Sequence, residues 1–175
     1  MFQDIDDTIE RDGFTLRARI EHDSDTGAPW EEHDGHGPVS DWEVRDKLPG
    51  ELILCGPSYG TGRLAARRFY DFAEACRIAR RDGWNAAPYQ VEGETPRQRA
   101  ARAALADFEH LRGWCNDSWN WCGVIVTAER AGVELGRASL WGIESNAGAY
   151  LVEVANELAA EAVAEAAAKV TEIAA

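Results

Sequence analysis

The stretch Trp119–Trp141, WNWCGVIVTAERAGVELGRASLW, decides the fold. It reads as two strands joined by a turn at Arg130-Ala131-Gly132, because β-branched and aromatic residues run up to a glycine-bearing break and resume after it. Trp119, Trp121 and Ile125 alternate with Val124 and Val126, so both faces of the pair carry apolar side chains and the hairpin is expected to be central in a sheet or covered on both sides. Upstream, Phe14–His22 (FTLRARIEH) alternates Phe14, Leu16, Ala18 and Ile20 with polar neighbours, the period of two of a half-buried strand. Glu51–Cys55 (ELILC) reads as a further short buried strand.

Helices fill the remainder. Residues 67–82, RRFYDFAEACRIARRD, place Phe69, Phe72, Ala73, Cys76 and Ala79 at helical spacing, with Gly83 as the stop. Arg77, Arg80 and Arg81 crowd the last turn, where cations favour the helix dipole. Thr95-Pro96 opens a second helix to about Arg112, with Thr95 as N-cap. A third, Ala149–Ile173, carries Leu151, Val154, Leu158, Ala162, Ala166, Val170 and Ile173 along one stripe. At about 1.5 Å per residue it would extend on the order of 35 Å, so its Ala-rich end could project past a small domain and either complete the core or meet a second copy, which leaves a homodimer open.

These elements predict an α+β fold: an antiparallel or mixed sheet of about four strands packed by about three helices, the last one long. The 175 residues suit a single domain. Residues 1–13 are expected to be a flexible acidic lead-in, and 23–50, rich in Gly, Pro and acids, a long loop with at most a short strand near Trp42–Arg45.

Composition narrows the function classes. With 31 acids against 18 bases the net charge is −13, the wrong sign for a conventional nucleic-acid binder. The charge is uneven: −10 over residues 1–62, +3 over 63–112 and −6 over 113–175. No window approaches the roughly 20 apolar residues of a membrane span, and no leader pattern opens the chain, so a cytoplasmic protein is expected. Cys55, Cys76, Cys115 and Cys122 show no zinc spacing and are expected as buried thiols in a reducing cytosol.

Two features could carry chemistry. The loop WEEHDGHGPVSDW, Trp30–Trp42, with its upstream neighbours holds His22, Asp23, His33, Asp34 and His36, residue types that ligate a divalent metal. Their spacing matches no established motif, Asp23-x-Asp25 does not complete a calcium loop, and a rigid loop anchored by Trp30 and Trp42 explains the same residues. The connector GPSYGTG at 56–62 lacks the Lys-Ser/Thr ending of a phosphate loop. No GxSxG is present, and Cys55 is the least implausible nucleophile. The other feature is electrostatic. Glu153, Glu157, Glu161 and Glu165 stand four apart, a like-charged row that disfavours the helix slightly and reads either as a solvated face or as an edge that docks a basic surface. With Glu31, Glu32 and Asp34 they form the candidate surface for a basic partner.

The segments GAPWEEHDGHGPVSDW, DKLPGE, FYDFAEACRIARRDGW and SLWGIES resemble small uncharacterised proteins encoded by bacteriophages and prophages, over about two-thirds of the chain. The resemblance implies a bacterial host cell and carries no catalytic residues. It points to a non-enzymatic accessory protein that binds a basic host or phage protein, in its narrowest form a DNA mimic acting on a restriction or CRISPR complex, with no cofactor. The alternative is an enzyme acting on nucleotides or nucleic acid through one divalent metal held in residues 22–36. A direct nucleic-acid binder using Arg67, Arg68, Arg77, Arg80, Arg81 and Trp84 must overcome the repulsion of phosphates by the chain's net charge.

Overall fold

A computed structural model describes residues 1–56, 65–85 and 91–174. Residues 57–62 of the glycine-rich connector lie outside the described residues. The fold is α+β, with a four-stranded antiparallel sheet, a two-stranded sheet and a long C-terminal helix. The chain forms two compact units: residues 1–26 with 119–175, and residues 27–118 between them.

The first unit contains β1 (Thr8–Arg11), β2 (Phe14–His22), β5 (Trp121–Arg130), β6 (Val133–Glu144) and α4 (Ala149–Ile173), with strand order β1-β2-β5-β6. The decisive hairpin is β5–β6, closed by the two residues Ala131 and Gly132 between the paired Arg130 and Val133. The expectation for the pair holds for one strand: β5 is interior with Trp121–Ala128 buried on both faces, whereas β6 is the edge of the sheet and largely exposed. On one face Cys122, Val124, Val126 and Ala128 meet Leu151, Val154, Ala155, Leu158, Ala159, Ala162 and Ala166 of α4. On the other, Trp141 lies over Gly123 and Trp119 meets Trp121 edge-on at 5.2 Å. The small residues of α4 allow close approach to the sheet, and the helix packs on this core as far as the partly buried Val170.

The amino terminus corrects the expectation of a flexible lead-in. Thr8–Arg11 pairs with Phe14–Arg17, and Phe2 is buried, its N–H donating to Asn156 Oδ1 at 2.8 Å. Asp12-Gly13 makes this turn, both residues at positive φ, a strong local hairpin signal that the acidic composition had masked.

The second unit holds α1 (Pro29–Glu32), β3 (Glu51–Cys55), β4 (Arg68–Asp71), α2 (Phe72–Asp82) and α3 (Pro96–Cys115). The helix expected from residue 67 begins five residues later. Phe69 and Tyr70 are instead buried in β4, paired with Ile53 and Leu52, and Asp71 caps α2 by accepting from the Glu74 N–H at 2.9 Å. Thr95 and Gln98 form the reciprocal cap of α3. The long loop is partly organised: α1 is one turn, and Val39 and Glu43 bridge to Tyr70 and Arg67, close to the short strand expected at 42–45. The cysteines correct a second expectation, since Cys55 at the end of β3 and Cys115 at the end of α3 form a disulfide while Cys76 and Cys122 are free. Cys55 is thereby no free nucleophile.

Candidate functional site

The acidic row is the first candidate, and α4 presents it as the spacing requires. Four residues advance an α-helix by about 400°, so Glu153, Glu157, Glu161 and Glu165 drift slowly round one exposed edge while the opposite stripe is locked in the core. All four are exposed. Glu165 is partly engaged: Lys169 donates to it at 2.7 Å and the Arg137 backbone N–H at 2.9 Å, and the Lys169 bond leads in holding its carboxyl below the usual range. Glu153, Glu157 and Glu161 make no ion pair among the described residues. The unit that carries them holds 16 acids and 6 bases, a net −10, against 15 and 12 in the other unit. Glu31, Glu32 and Asp34 belong to that other unit, all exposed, with Glu31 3.7 Å from Arg68 and Glu32 accepting from the Gly27 N–H.

The five metal candidates are divided. His22 is exposed at the end of β2. Asp23 is buried and accepts from the Thr26 hydroxyl at 2.8 Å and from the backbone N–H groups of Asp25, Thr26 and Gly142 at 3.0, 3.2 and 3.1 Å. The Thr26 hydroxyl leads in pushing its carboxyl below the usual range. Asp23 is therefore a clasp that ties the end of β2 to β6. His33, Asp34 and His36 lie in the second unit, where the His33 N–H closes α1 on the Pro29 carbonyl. Among the described residues no three His, Cys, Asp or Glu side chains gather in a metal-binding group.

His36 instead enters a polar knot. Its Nδ1 lies 2.6 Å from Asp107 Oδ1. The other oxygen of Asp107 accepts from the Gly37 N–H at 2.8 Å and the Tyr70 hydroxyl at 2.7 Å. The Tyr70 hydroxyl also lies 3.1 Å from the Ala104 carbonyl. Burial first, then the Asp107 carboxylate, pushes the Tyr70 phenol far above its ordinary range, so it serves as a fixed donor. The His110 ring stacks on His36 with centroids 6.1 Å apart. A carboxylate on Nδ1 is the arrangement that orients a catalytic imidazole, but no hydroxyl or thiol is hydrogen-bonded to His36 among the described residues. What the knot does is fasten the loop to α3 and β4.

The bracketing tryptophans act differently from buried anchors. The Arg68 guanidinium lies 5.1 Å from the Trp30 ring and 5.4 Å from the Trp42 ring, so one cation holds two indoles. Trp30 also meets Trp114 edge-on at 5.4 Å, while Trp42 stays 54% exposed. Sequence reading missed Asp107, Tyr70 and His110, which are separated from His36 by 34 to 74 residues. Of the proposed nucleic-acid contacts, Arg68 is spent on the indoles, Arg77 and Arg81 pair with Glu74 and Asp82, and Arg67 pairs with Glu43 through its backbone N–H and carbonyl. Among the described residues no helix is long and apolar enough to cross a membrane. No protein-family model matches this chain, and neither a curated protein nor a solved structure matches it.

Proposed function

We propose that this is a non-enzymatic accessory protein of a bacteriophage or prophage that docks a basic protein through the exposed edge of α4. The observation that carries the reading is the row Glu153, Glu157, Glu161, exposed and without ion pairs among the described residues, on a unit of net −10. An opposing arginine or lysine groove would relieve their mutual repulsion and steer association. In the finer form the partner is the nucleic-acid-binding groove of a restriction or CRISPR complex. The row places one charge per about 6 Å, whereas one DNA strand carries one per about 3.4 Å, so any imitation of phosphates is a sparse one that needs the other acids of the unit.

The test compares the wild type with E153K/E157K/E161K as baits, offered purified restriction and CRISPR effector proteins. Binding at about 0.1 M salt, where charges act over ~10 Å, should vanish near 1 M, where they act over ~3 Å, and should be absent in the triple variant. Binding that the triple variant retains would overturn the reading.

A further inference from the structure

In a chain with this excess of acids nearly every described cation is engaged. Arg80, Arg97 and Arg137 are the exceptions among the described residues: their side chains make no ion pair, hydrogen bond or ring contact. Two of these three line one groove. It lies between α2 and α3 as an open groove of about 510 Å³, lined by Phe72, Cys76, Ala100 and Ala101 together with the exposed Arg77, Arg80 and Arg97. A smaller hollow of about 200 Å³, with Trp84 and Arg99, shares Arg80 and Ala100 with it.

Ordinary helix electrostatics explains Arg80 and not Arg97. Arg80 stands in the last turn of α2, where the dipole welcomes a cation. Arg97 stands in the first turn of α3, next to Pro96, where the dipole is positive and no acidic side chain occupies the turn. A guanidinium there adds to the positive helix end and shares the groove with Arg77 and Arg80, without an acidic partner among the described residues. An anion would be attracted by both the helix end and these arginines. The volume falls in the roughly 300 to 1,000 Å³ of small-molecule sites, and a lining of arginines and apolar side chains suits a ligand with a charged head and an apolar body.

We propose that the α2–α3 groove binds a small organic anion, its phosphate or carboxylate head held by Arg80 and Arg97 and its apolar body laid on Phe72, Cys76 and Ala100. This site is separate from the acidic edge of α4 and stands or falls without it.

The groove carries its own reporter. Cys76 lines it and is free, Cys122 is buried, and Cys55 and Cys115 are bonded to each other, so alkylation of the folded protein reads Cys76. The probes are phenyl phosphate, benzoate and inorganic phosphate, titrated calorimetrically and then tested as protectants of Cys76 against N-ethylmaleimide. Phenyl phosphate, benzoate or both should bind and slow the alkylation, the preference between them identifying the head group. Inorganic phosphate should bind at least about tenfold more weakly, since it lacks the apolar body. R80Q/R97Q should lose at least about tenfold in affinity, the weight of one charge-assisted hydrogen bond, while R137Q, which removes the third unengaged arginine, should lose none. Binding without Cys76 protection, equal loss in R137Q, or no binding of either aromatic anion would overturn the proposal. Should R80Q/R97Q misfold, protection of Cys76 in the wild type still decides it.

Discussion

Gly136 of β6 lies so close to α4 that a Cβ built on it would sit 2.1 Å from the carbonyl oxygen of Ala162. The obstacle is backbone, which cannot rotate away, so the helix must lift from the sheet to admit even one methyl group. Gly136→Ala should therefore cost about 3 kcal/mol or more, at the upper end of overpacking, and thermal melting should show it. Glu134→Ala, on an exposed position of the same strand where the side chain makes no hydrogen bond or ion pair among the described residues, should leave the melting temperature within experimental scatter.

The polar knot predicts a cost from the loss of one oxygen. Tyr70→Phe keeps the buried ring and removes a donor from Asp107, which should destabilise the protein by about 1–3 kcal/mol. If Tyr70 and His36 act through the same carboxylate, a double-mutant cycle of Tyr70→Phe with His36→Ala should be non-additive by at least about 0.5 kcal/mol in urea unfolding.

Asp23 makes a pH-dependent contribution whose sign is fixed by its lowered pKa. Four donors favour the carboxylate in the folded state, so its contribution is complete above the unfolded value of about 3.9 and is lost as pH falls through the lower folded value. Asp23→Asn should thus melt below the wild type at pH 7, and the gap should narrow as pH is taken below about 4. A gap constant from pH 7 to pH 2 would sink the assignment of Asp23 as an ionised clasp.

Ala131 sits at φ +52 beside Gly132 at φ +78 in a two-residue turn, a conformation alanine adopts at a cost of about 1–2 kcal/mol. The β1–β2 turn meets the same demand with Asp12-Gly13. Ala131→Asn should raise the stability by about 0.5–1 kcal/mol, read as a higher urea midpoint at unchanged slope.

The disulfide closes a loop of 60 residues, for which chain entropy gives on the order of 4 kcal/mol. Oxidised protein should show two reactive thiols in denaturant under non-reducing conditions and four after reduction, with a lower melting temperature. Four thiols in the oxidised sample would remove the bond.

Local signals carried much of this fold. The alternation in β2, the two-sided apolar run of β5, the Thr95-Pro96 cap and the stripe of α4 each depend on residues within one element, and each stands where its pattern places it. What escaped was long-range or masked by a competing pattern. Phe69 and Phe72 share a helical spacing with Cys76, yet Phe69 belongs to a strand because Ile53, sixteen residues upstream, pairs with it. The acids of residues 1–13 hid the Asp-Gly turn. Of the candidate residues, the exposed row on α4 needed only helical periodicity, whereas the partner of His36 is Asp107, 71 residues away, and no spacing rule reaches that far.

Phe2 and Asn156, hydrogen-bonded across 154 positions, carry a consequence for synthesis. The first unit is assembled from the two ends of the chain, while the second lies wholly between them. On a ribosome Gly27–Ser118 has emerged before β5 exists, so that unit can close first. The opening hairpin β1–β2 must wait, with Leu16 and Phe14 uncovered, until β5, β6 and α4 have emerged. At roughly 5–20 residues per second that interval lasts seconds, and the 8 acids against 3 bases of residues 1–26 are the kind of like charge that disfavours pairing of an open sheet edge with another chain.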